Sequence, residues 1–504
     1  MSRGNIVHIT TEVAPFYKRG GLGDVLSALP QHLAVEDFHN TVISLFYENK
    51  MNFLDGCQIT EYEMVLNGFP YQFSCHQTEK NGVRYLFLEL ADNMIFSGLE
   101  SSEDGDQPYK GTSTVMYYMY FAKAVLSILL DTKIYPNFVI AHDWQTAGIF
   151  LFPSDIEKLN GLNPFKSMIL IHNYEYHGEI YRDVLPFLSK EAFEVVNKIF
   201  QKYRSASLLA IGIHEADIVA TVSANYGREL MLGEVPNKGL KYIQSENIEV
   251  ASFQNGVDYN IWHPARSPYI SPYNFETVGQ KKKNKQHVFE LCQFGFEDVD
   301  SPLILMIARL THQKGIQLIV DYTHSNEVID QDIARLLQSG AKLIIFGTPS
   351  EGSKGDIHRS LDRLNHVFEG SVYYSPKYEE PLAHQFLAAS DMLLSPSFFE
   401  PCGLTHLYAM AFGSIPVVRP VGGLKDTVNC YFSSPLNATG FYIEDFSKSS
   451  LLDTINGAVE IYSNEPQEWL QIQKRAMAQD FSWNKMRLQY VNYFEQVALD
   501  NLKA

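Results

Sequence analysis

A chain of 504 residues, 45% hydrophobic and 19% charged, is too long for one ordinary core and apolar enough for sizeable ones, so two domains, or three, are expected. A formal net charge of −18, from 58 acidic and 40 basic side chains, argues against a polyanionic partner such as nucleic acid, although a local basic patch can still hold a phosphate. No apolar run approaches bilayer length, and five scattered cysteines (Cys57, Cys75, Cys292, Cys402, Cys430) without CxxC spacing suit reduced thiols in a cytosolic protein, not a disulfide frame or zinc site.

The first apolar run, Ile6-Val7-His8-Ile9, reads as a buried strand, too short and too soon broken by polar residues for a signal peptide. Further strand-length runs follow at 41–45, 138–141, 168–171 and 218–222, with helical patterns at 25–33 and 117–129 between some of them. Strands alternating with helices predict a parallel sheet covered on both faces. A second series recurs at 303–308, 343–346, 372–374, 392–394 and 415–418. Between the two lie Asn255-Gly256-Val257-Asp258, Trp262-His263-Pro264 and a Pro/Ser/Tyr-rich run to Tyr273, a composition shift that marks a domain boundary and the expected hinge. Lys281, Lys282, Lys283 and Lys285 open a helical stretch and read as a solvated face, not a nucleic-acid patch. No internal repeat or low-complexity segment is evident.

Open parallel sheets bind ligands beyond the carboxyl ends of their strands, and two such sheets facing each other would let a donor and an acceptor meet. The chemically informative residues fall at those ends. Lys18-Arg19-Gly20-Gly21-Leu22-Gly23-Asp24 follows the first run; its glycines allow close backbone approach, and Lys18 can reach a phosphate. It is not GxGxxG, which weakens a nicotinamide reading. His142-Asp143-Trp144 and His172-Asn173 follow their runs directly, and Arg309 closes another, with Lys314-Gly315 beyond it. Most informative is 397–405, Ser-Phe-Phe-Glu-Pro-Cys-Gly-Leu-Thr, which joins Glu400, a tight turn and the open amides of a helix start. Such amides suit a phosphate, and a carboxylate beside them suits sugar or ribose hydroxyls. Plainer readings stand beside these. Glu-Pro-Cys-Gly can be only a turn, Asp143 a helix cap, each His a hydrogen-bonded turn residue, and the lysines surface residues. The shared placement at strand ends is what favours a nucleotide-sugar site.

In these residues the chain resembles the bacterial glycogen synthases and plant starch synthases. The resemblance runs in order through Lys18-Arg19-Gly20-Gly21-Leu22-Gly23-Asp24-Val25, His142-Asp143-Trp144, His172-Asn173, Ala220-Thr221-Val222-Ser223 and Asn255-Gly256-Val257-Asp258. It continues through Asn284-Lys285, the segment from Ala308 to Gly315, Glu400-Pro401-Cys402-Gly403-Leu404-Thr405, Gly422-Gly423-Leu424-Lys425-Asp426-Thr427 and Phe481-Ser482-Trp483. Tyr408 stands where many related retaining transferases carry a second Glu, as it does in the synthases.

The resemblance implies an α/β GT-B fold, two Rossmann-like domains facing across a deep cleft: 1–258 on the acceptor side, 259–480 binding the nucleotide-sugar, and a helix at 481–504 crossing back to the first. It implies a cytoplasmic, retaining glucosyltransferase that moves glucose from ADP-glucose or UDP-glucose to the non-reducing end of an α-1,4-glucan. No metal or other cofactor, nucleic acid or membrane is expected. By resemblance, Arg309 and Lys314 hold the diphosphate with the backbone of Gly20, Gly21, Cys402, Gly403, Leu404 and Thr405. Lys18 reaches the same phosphates or the sugar. Glu400 holds donor-sugar hydroxyls, Asp143 assists the reacting sugar, and the His172 carbonyl faces the anomeric carbon. Asn173, Asn255 and Tyr408 fall on the sugar and acceptor side. Arg19, Tyr117, Tyr120 and Ala210 depart from the family pattern, by neutral drift or by an altered acceptor side. A same-fold transferase acting on a small molecule or protein, and a silent glucan- or nucleotide-binding protein, stay open as alternatives.

Overall fold

The structure, a computed structural model, describes residues 3–47, 51, 56–90, 112–132, 134–235, 242–320, 331–338, 340–349 and 354–503. The chain divides into two compact units, Met1–Asn255 with Trp483–Ala504, and Gly256–Ser482. The division precedes the expected 258/259 because the Val257 amide donates to the Phe481 carbonyl at 2.7 Å, tying the entering and leaving segments of the second unit together.

The first unit is built on β1 (Gly4–Ile9), β2 (Phe38–Leu45), β3 (Gln58–Leu66), β4 (Phe69–Lys80), β5 (Val83–Leu90), β6 (Phe138–His142), β7 (Lys166–Ile171), β8 (Ile218–Thr221) and β9 (Ala251–Ser252). They form one sheet in the order β3-β4-β5-β2-β1-β6-β7-β8-β9. All neighbours from β5 to β9 run parallel. β1, β6 and β7 lie at its centre and are buried along most of their length, hence their near-continuous apolar sequences. β3, β4 and β5 form an antiparallel meander that the strand-and-helix reading does not anticipate. Its signal is present all the same. Asn67-Gly68 and Asn81-Gly82 join these strands with all four residues at positive φ, as a two-residue hairpin turn requires.

The second unit carries a six-stranded, wholly parallel sheet in the order β12-β11-β10-β13-β14-β15. Its strands are β10 (Leu303–Ile307), β11 (Lys342–Phe346), β12 (Val372–Ser375), β13 (Met392–Ser395), β14 (Ile415–Val418) and β15 (Phe441–Tyr442).

Two sequence expectations change. Lys281 and Lys285 are buried, four residues apart on the inward side of the helix Lys281–Leu291. Lys281 Nζ donates to the carbonyls of Leu387 (2.8 Å) and Phe412 (3.0 Å), and Lys285 pairs with buried Asp391 at 2.6 Å. Half of the basic run is therefore interior. The helix Thr112–Asp131 is apolar and long enough over Thr114–Asp131 to pass for a membrane span, but 72% of that window is buried within the fold. The terminal helix Trp483–Lys503 packs in the first unit, where Tyr490 stacks on Phe253 at 4.3 Å and Phe494 lies tilted against Phe138 at 4.3 Å.

Candidate active site

In the first unit the glycine loop after β1 is organised by Glu12, a residue the sequence reading overlooks. Its carboxylate accepts the amides of Arg19 (2.5 Å) and Gly20 (2.9 Å), drawing the Lys18–Gly21 loop around itself. Burial raises the Glu12 carboxyl above its ordinary range, against the lowering effect of those two amides. One expectation is thereby corrected: the Gly20 amide is engaged by Glu12, not left open for a phosphate. Gly21 stands at the first position of the helix Gly21–Ala34, and Lys18 Nζ pairs with Asp24 at 2.7 Å. A Cβ on Gly23 would lie 3.1 Å from the Lys18 side chain and 3.2 Å from Glu12, so any larger residue there must push one of them aside by a few tenths of an ångström.

Asp143 follows β6 in a left-handed conformation, φ 62°, that few non-glycine residues adopt. Its Oδ1 accepts the amides of His172 (2.6 Å) and Asn173 (3.1 Å), which stitches the ends of β6 and β7 together. The side chain therefore does not cap a helix at Trp144. Burial lifts its carboxyl to about 7, the two amides pull it down, and the nearby Glu12 carboxylate pushes it up. Lys18, Gly21, Asp143, His172 and Asn173 thus gather at the carboxyl ends of β1, β6 and β7, with Glu12 among them. Asn173 Oδ1 accepts the Glu175 amide at 3.0 Å, and Asn255 is buried at the end of the unit's first segment.

The second unit brings its predicted residues together around one turn. Arg309 is exposed just past β10. The loop that follows is pinned to the β13 exit: the Phe398 amide donates to the Gln313 carbonyl at 2.7 Å. Gly315 (φ 80°) packs so closely on Pro396 that a Cβ would collide with its carbonyl oxygen. That docking places Lys314 Nζ 2.5 Å from Glu400 Oε2, and Ser397 Oγ donates to the same oxygen at 2.9 Å. Glu400 is 5% exposed and Lys314 half-buried. Gly403, in the left-handed region (φ 83°), precedes the helix Leu404–Ala411 and has no side chain to cap its first amides. Cys402 is buried beneath the turn. Gly423, whose amide donates to the Glu400 carbonyl at 3.0 Å, backs it so tightly that a Cβ would strike the Cys402 backbone. Tyr408 is placed differently from its expected sugar-side role. Its ring is buried and lies flat on Trp262, centroids 4.2 Å apart at 1°, with His384 on the same indole.

Two of the departures from the family pattern are interior. Tyr120 is buried edge-on to Tyr71 of β4 (5.2 Å), and Ala210 is fully buried in the helix Leu208–Glu215. Tyr117 is half-buried, and the Arg19 guanidinium lies 5.8 Å over the Tyr17 ring. Among the described residues, no group of three or more His, Cys, Asp or Glu side chains is arranged to hold a metal ion. Glu12, Ser397 and Gly423 escape sequence reasoning. Gly423 and Ser397 lay within motifs already noted, the Gly422-Gly423-Leu424 and 397–405 stretches, but their roles, like that of Glu12, are recognisable only once the loops are folded.

Residues 5–245 match the family described as the starch synthase catalytic domain, and 290–475 match glycosyl transferases group 1. A glycogen synthase of Bacillus cereus strain B4264 is 30% identical, with 98% of this chain and 99% of that one covered. One from Streptococcus mutans is 29% identical, over 98% and 100%. The catalytic domain of starch synthase IV from Arabidopsis thaliana, solved bound to ADP and acarbose, superposes with a TM-score of 0.84 at 27% identity, covering 98% and 99% of the two chains. A sucrose-phosphate synthase from Thermosynechococcus elongatus shares the fold at 15% identity and a TM-score of 0.60, with 99% and 100% covered. With its two parallel-sheet units, its full-length relatives and both family matches in chain order, this protein belongs to the glycogen and starch synthase family of GT-B glycosyltransferases.

Proposed function

We propose that the protein moves glucose from ADP-glucose or UDP-glucose to the non-reducing end of an α-1,4-glucan, with retention at the anomeric carbon. The observation that carries this reading is the Lys314–Glu400 pair, set beside the uncapped start of the helix Leu404–Ala411. A cation, a carboxylate and open amides within one turn answer the three parts of a sugar diphosphate. Arg309, Lys314 and the amides of Leu404 and Thr405 take the phosphates. Among the described residues, both hydrogen bonds to the Glu400 carboxylate fall on Oε2, which leaves Oε1 for a sugar hydroxyl.

In the transfer, the bond from the anomeric carbon to the phosphate oxygen breaks and its electron pair leaves with the diphosphate. The acceptor hydroxyl attacks from the same face and passes its proton to the departing phosphate oxygen. Ionised Asp143 offsets the positive charge that develops on the sugar, and the His172 carbonyl faces the same centre. The charge of the leaving group is met by Arg309, Lys314 and amides, so no metal ion enters this scheme. The relative solved with ADP and acarbose supports both a nucleotide and a glucan-like ligand.

The test is diphosphate release from ADP-glucose and UDP-glucose, with and without glycogen. Primer-dependent release is expected, and Lys314→Ala and Glu400→Ala should each lower kcat by about 10²-fold or more. Near-wild-type rates in both variants would refute the assignment. Release that ignores the primer would instead favour a small-molecule or protein acceptor.

A further inference from the structure

The first unit carries a file of three imidazoles that the transfer scheme leaves unused. His8 lies on β1, His142 ends β6, and His172 follows β7, three adjacent strands of the sheet. His8 Nδ1 stands 3.2 Å from His142 Nε2, and His142 Nδ1 stands 2.9 Å from His172 Nε2. The rings lie edge to edge, with centroids 5.4 Å and 5.2 Å apart and planes inclined by 28° and 26°. At the far end His8 Nε2 meets Asn40 Oδ1 of β2 at 3.2 Å. The Asn40 amide is oriented by its other atom, since Nδ2 donates to the Phe38 carbonyl at 3.0 Å. An acceptor, and only an acceptor, therefore faces His8. His8, Asn40 and His142 are buried and His172 is half-buried.

A neutral imidazole carries one N–H, so each contact in the file fixes the next. Asn40 Oδ1 requires the proton of His8 on Nε2. His8 Nδ1 is then bare and accepts from His142 Nε2–H, and His142 Nδ1 accepts from His172 Nε2–H. The reverse order would set two lone pairs against each other beside Asn40, in a buried place. Burial also keeps the rings neutral: His8 is lowered to about 4, His172 to about 3, and His142 well below its ordinary value.

We propose that Asn40, His8 and His142 are positioning residues that hold His172 in the Nε2–H tautomer, so that its bare Nδ1 accepts a hydrogen bond from a hydroxyl of the donor sugar. The ligand in this inference rests on the glucosyl-transfer reading; the tautomer does not. His172 Nδ1 has no hydrogen bond among the described residues, as a group reserved for a ligand should not. A polar file of this kind is costly to bury without purpose, and one broken contact disorders every proton downstream.

Nitrogen-15 spectra of histidine-labelled protein read the ring protonation directly, with His172→Gln assigning the His172 signals. Wild-type protein is expected to show His172 protonated at Nε2 and bare at Nδ1. Asn40→Leu removes the terminal acceptor and lets the file reverse, so a His172 Nδ1–H population should appear while kcat/KM for the nucleotide-glucose falls at least about tenfold. His8→Leu breaks the file one step closer and should act alike. A wild-type His172 protonated on Nδ1 overturns the proposal, as does a variant whose tautomer reverses at unchanged kcat/KM. Should Asn40→Leu fail to fold, the wild-type spectrum and His8→Leu still decide. Wild-type protein inert toward every nucleotide-glucose would sink the transfer reading alone, because the spectrum judges the tautomer without turnover.

Discussion

Asp143 is the residue whose environment most directly predicts behaviour. Its carboxyl is raised from 3.8 to about 7, so between those values the folded chain keeps a proton that the unfolded chain releases. Its contribution to stability is therefore most favourable below about 3.8 and is lost as pH rises through about 7. Both amide bonds fall on Oδ1, which an asparagine carbonyl can replace. Asp143→Asn should therefore match wild type in urea unfolding at low pH and exceed it at pH 8. Activity should run the other way, because in the proposed transfer it is the ionised form that offsets the charge on the sugar. In wild type kcat/KM should rise through about pH 7, and the variant should lose that limb along with most of its rate. Equal pH profiles in the two proteins would contradict this role. Asp143 and His172 were legible in the sequence because each follows the end of an apolar run, and Lys314 and Glu400 because they lie in the short loops that follow two others. Glu12 and Asn40 were not. A lone acid inside a loop, or a lone amide inside a strand, has no spacing that announces its partner, and only the folded loop and the neighbouring strand supply one.

At the scale of elements, the helix-start turn depends on what lies behind it. Gly423 touches the Cys402 backbone so closely that a methyl group must displace either Pro401-Cys402-Gly403 or the helix Gly422–Thr427. Gly423→Ala is expected to destabilise the second unit by about 1–3 kcal/mol, the usual range for overpacking. It should also raise the Kd for the nucleotide-sugar, since the displaced turn carries the amides proposed to hold the phosphates. Calorimetric titration with ADP checks the second effect, and unchanged affinity would show that the turn tolerates the shift. The same scale explains what the sequence concealed. The parallel strands were visible as unbroken apolar runs because both of their faces are buried. The β3–β4 hairpin was not, since β3 is exposed over most of its length and its apolar residues are too sparse to mark it. Its Asn-Gly turns were the better guide. The basic run misled for a related reason. Residues four apart share a helix face, and the lysine face at 281 and 285 turns inward onto carbonyls and Asp391.

For the whole molecule the decisive feature is that the first unit is discontinuous in sequence. Its last helix, Trp483–Lys503, inserts Trp483, Tyr490 and Phe494 into the core, each at most 2% exposed: Trp483 beside His32, Tyr490 on Phe253, and Phe494 against Phe138 and Phe38. Arg487 adds an ion pair to Glu36 at 2.8 Å. The two series of strands were readable from composition and alternation, but the return of the terminus to the first series followed only from family resemblance. No local pattern in a helix says which sheet it will cover. Losing one buried large aromatic side chain typically costs about 3–5 kcal/mol, and a domain has only about 5–15 kcal/mol in total. A chain ending at Ser482 should therefore lose the cooperative unfolding of the first unit and expose its aromatic surface to a hydrophobic dye. The second unit contains its whole six-stranded sheet, the Lys314–Glu400 pair and the Leu404 helix start within 256–482. Produced alone, that segment should fold and bind ADP in calorimetry while transferring no glucose, because Lys18, Asp143 and His172 are absent. Retention of a normal two-unit melting profile by the truncated chain would contradict this division. So would an isolated 256–482 segment that cannot bind ADP, since it would place an essential part of the phosphate site in the first unit.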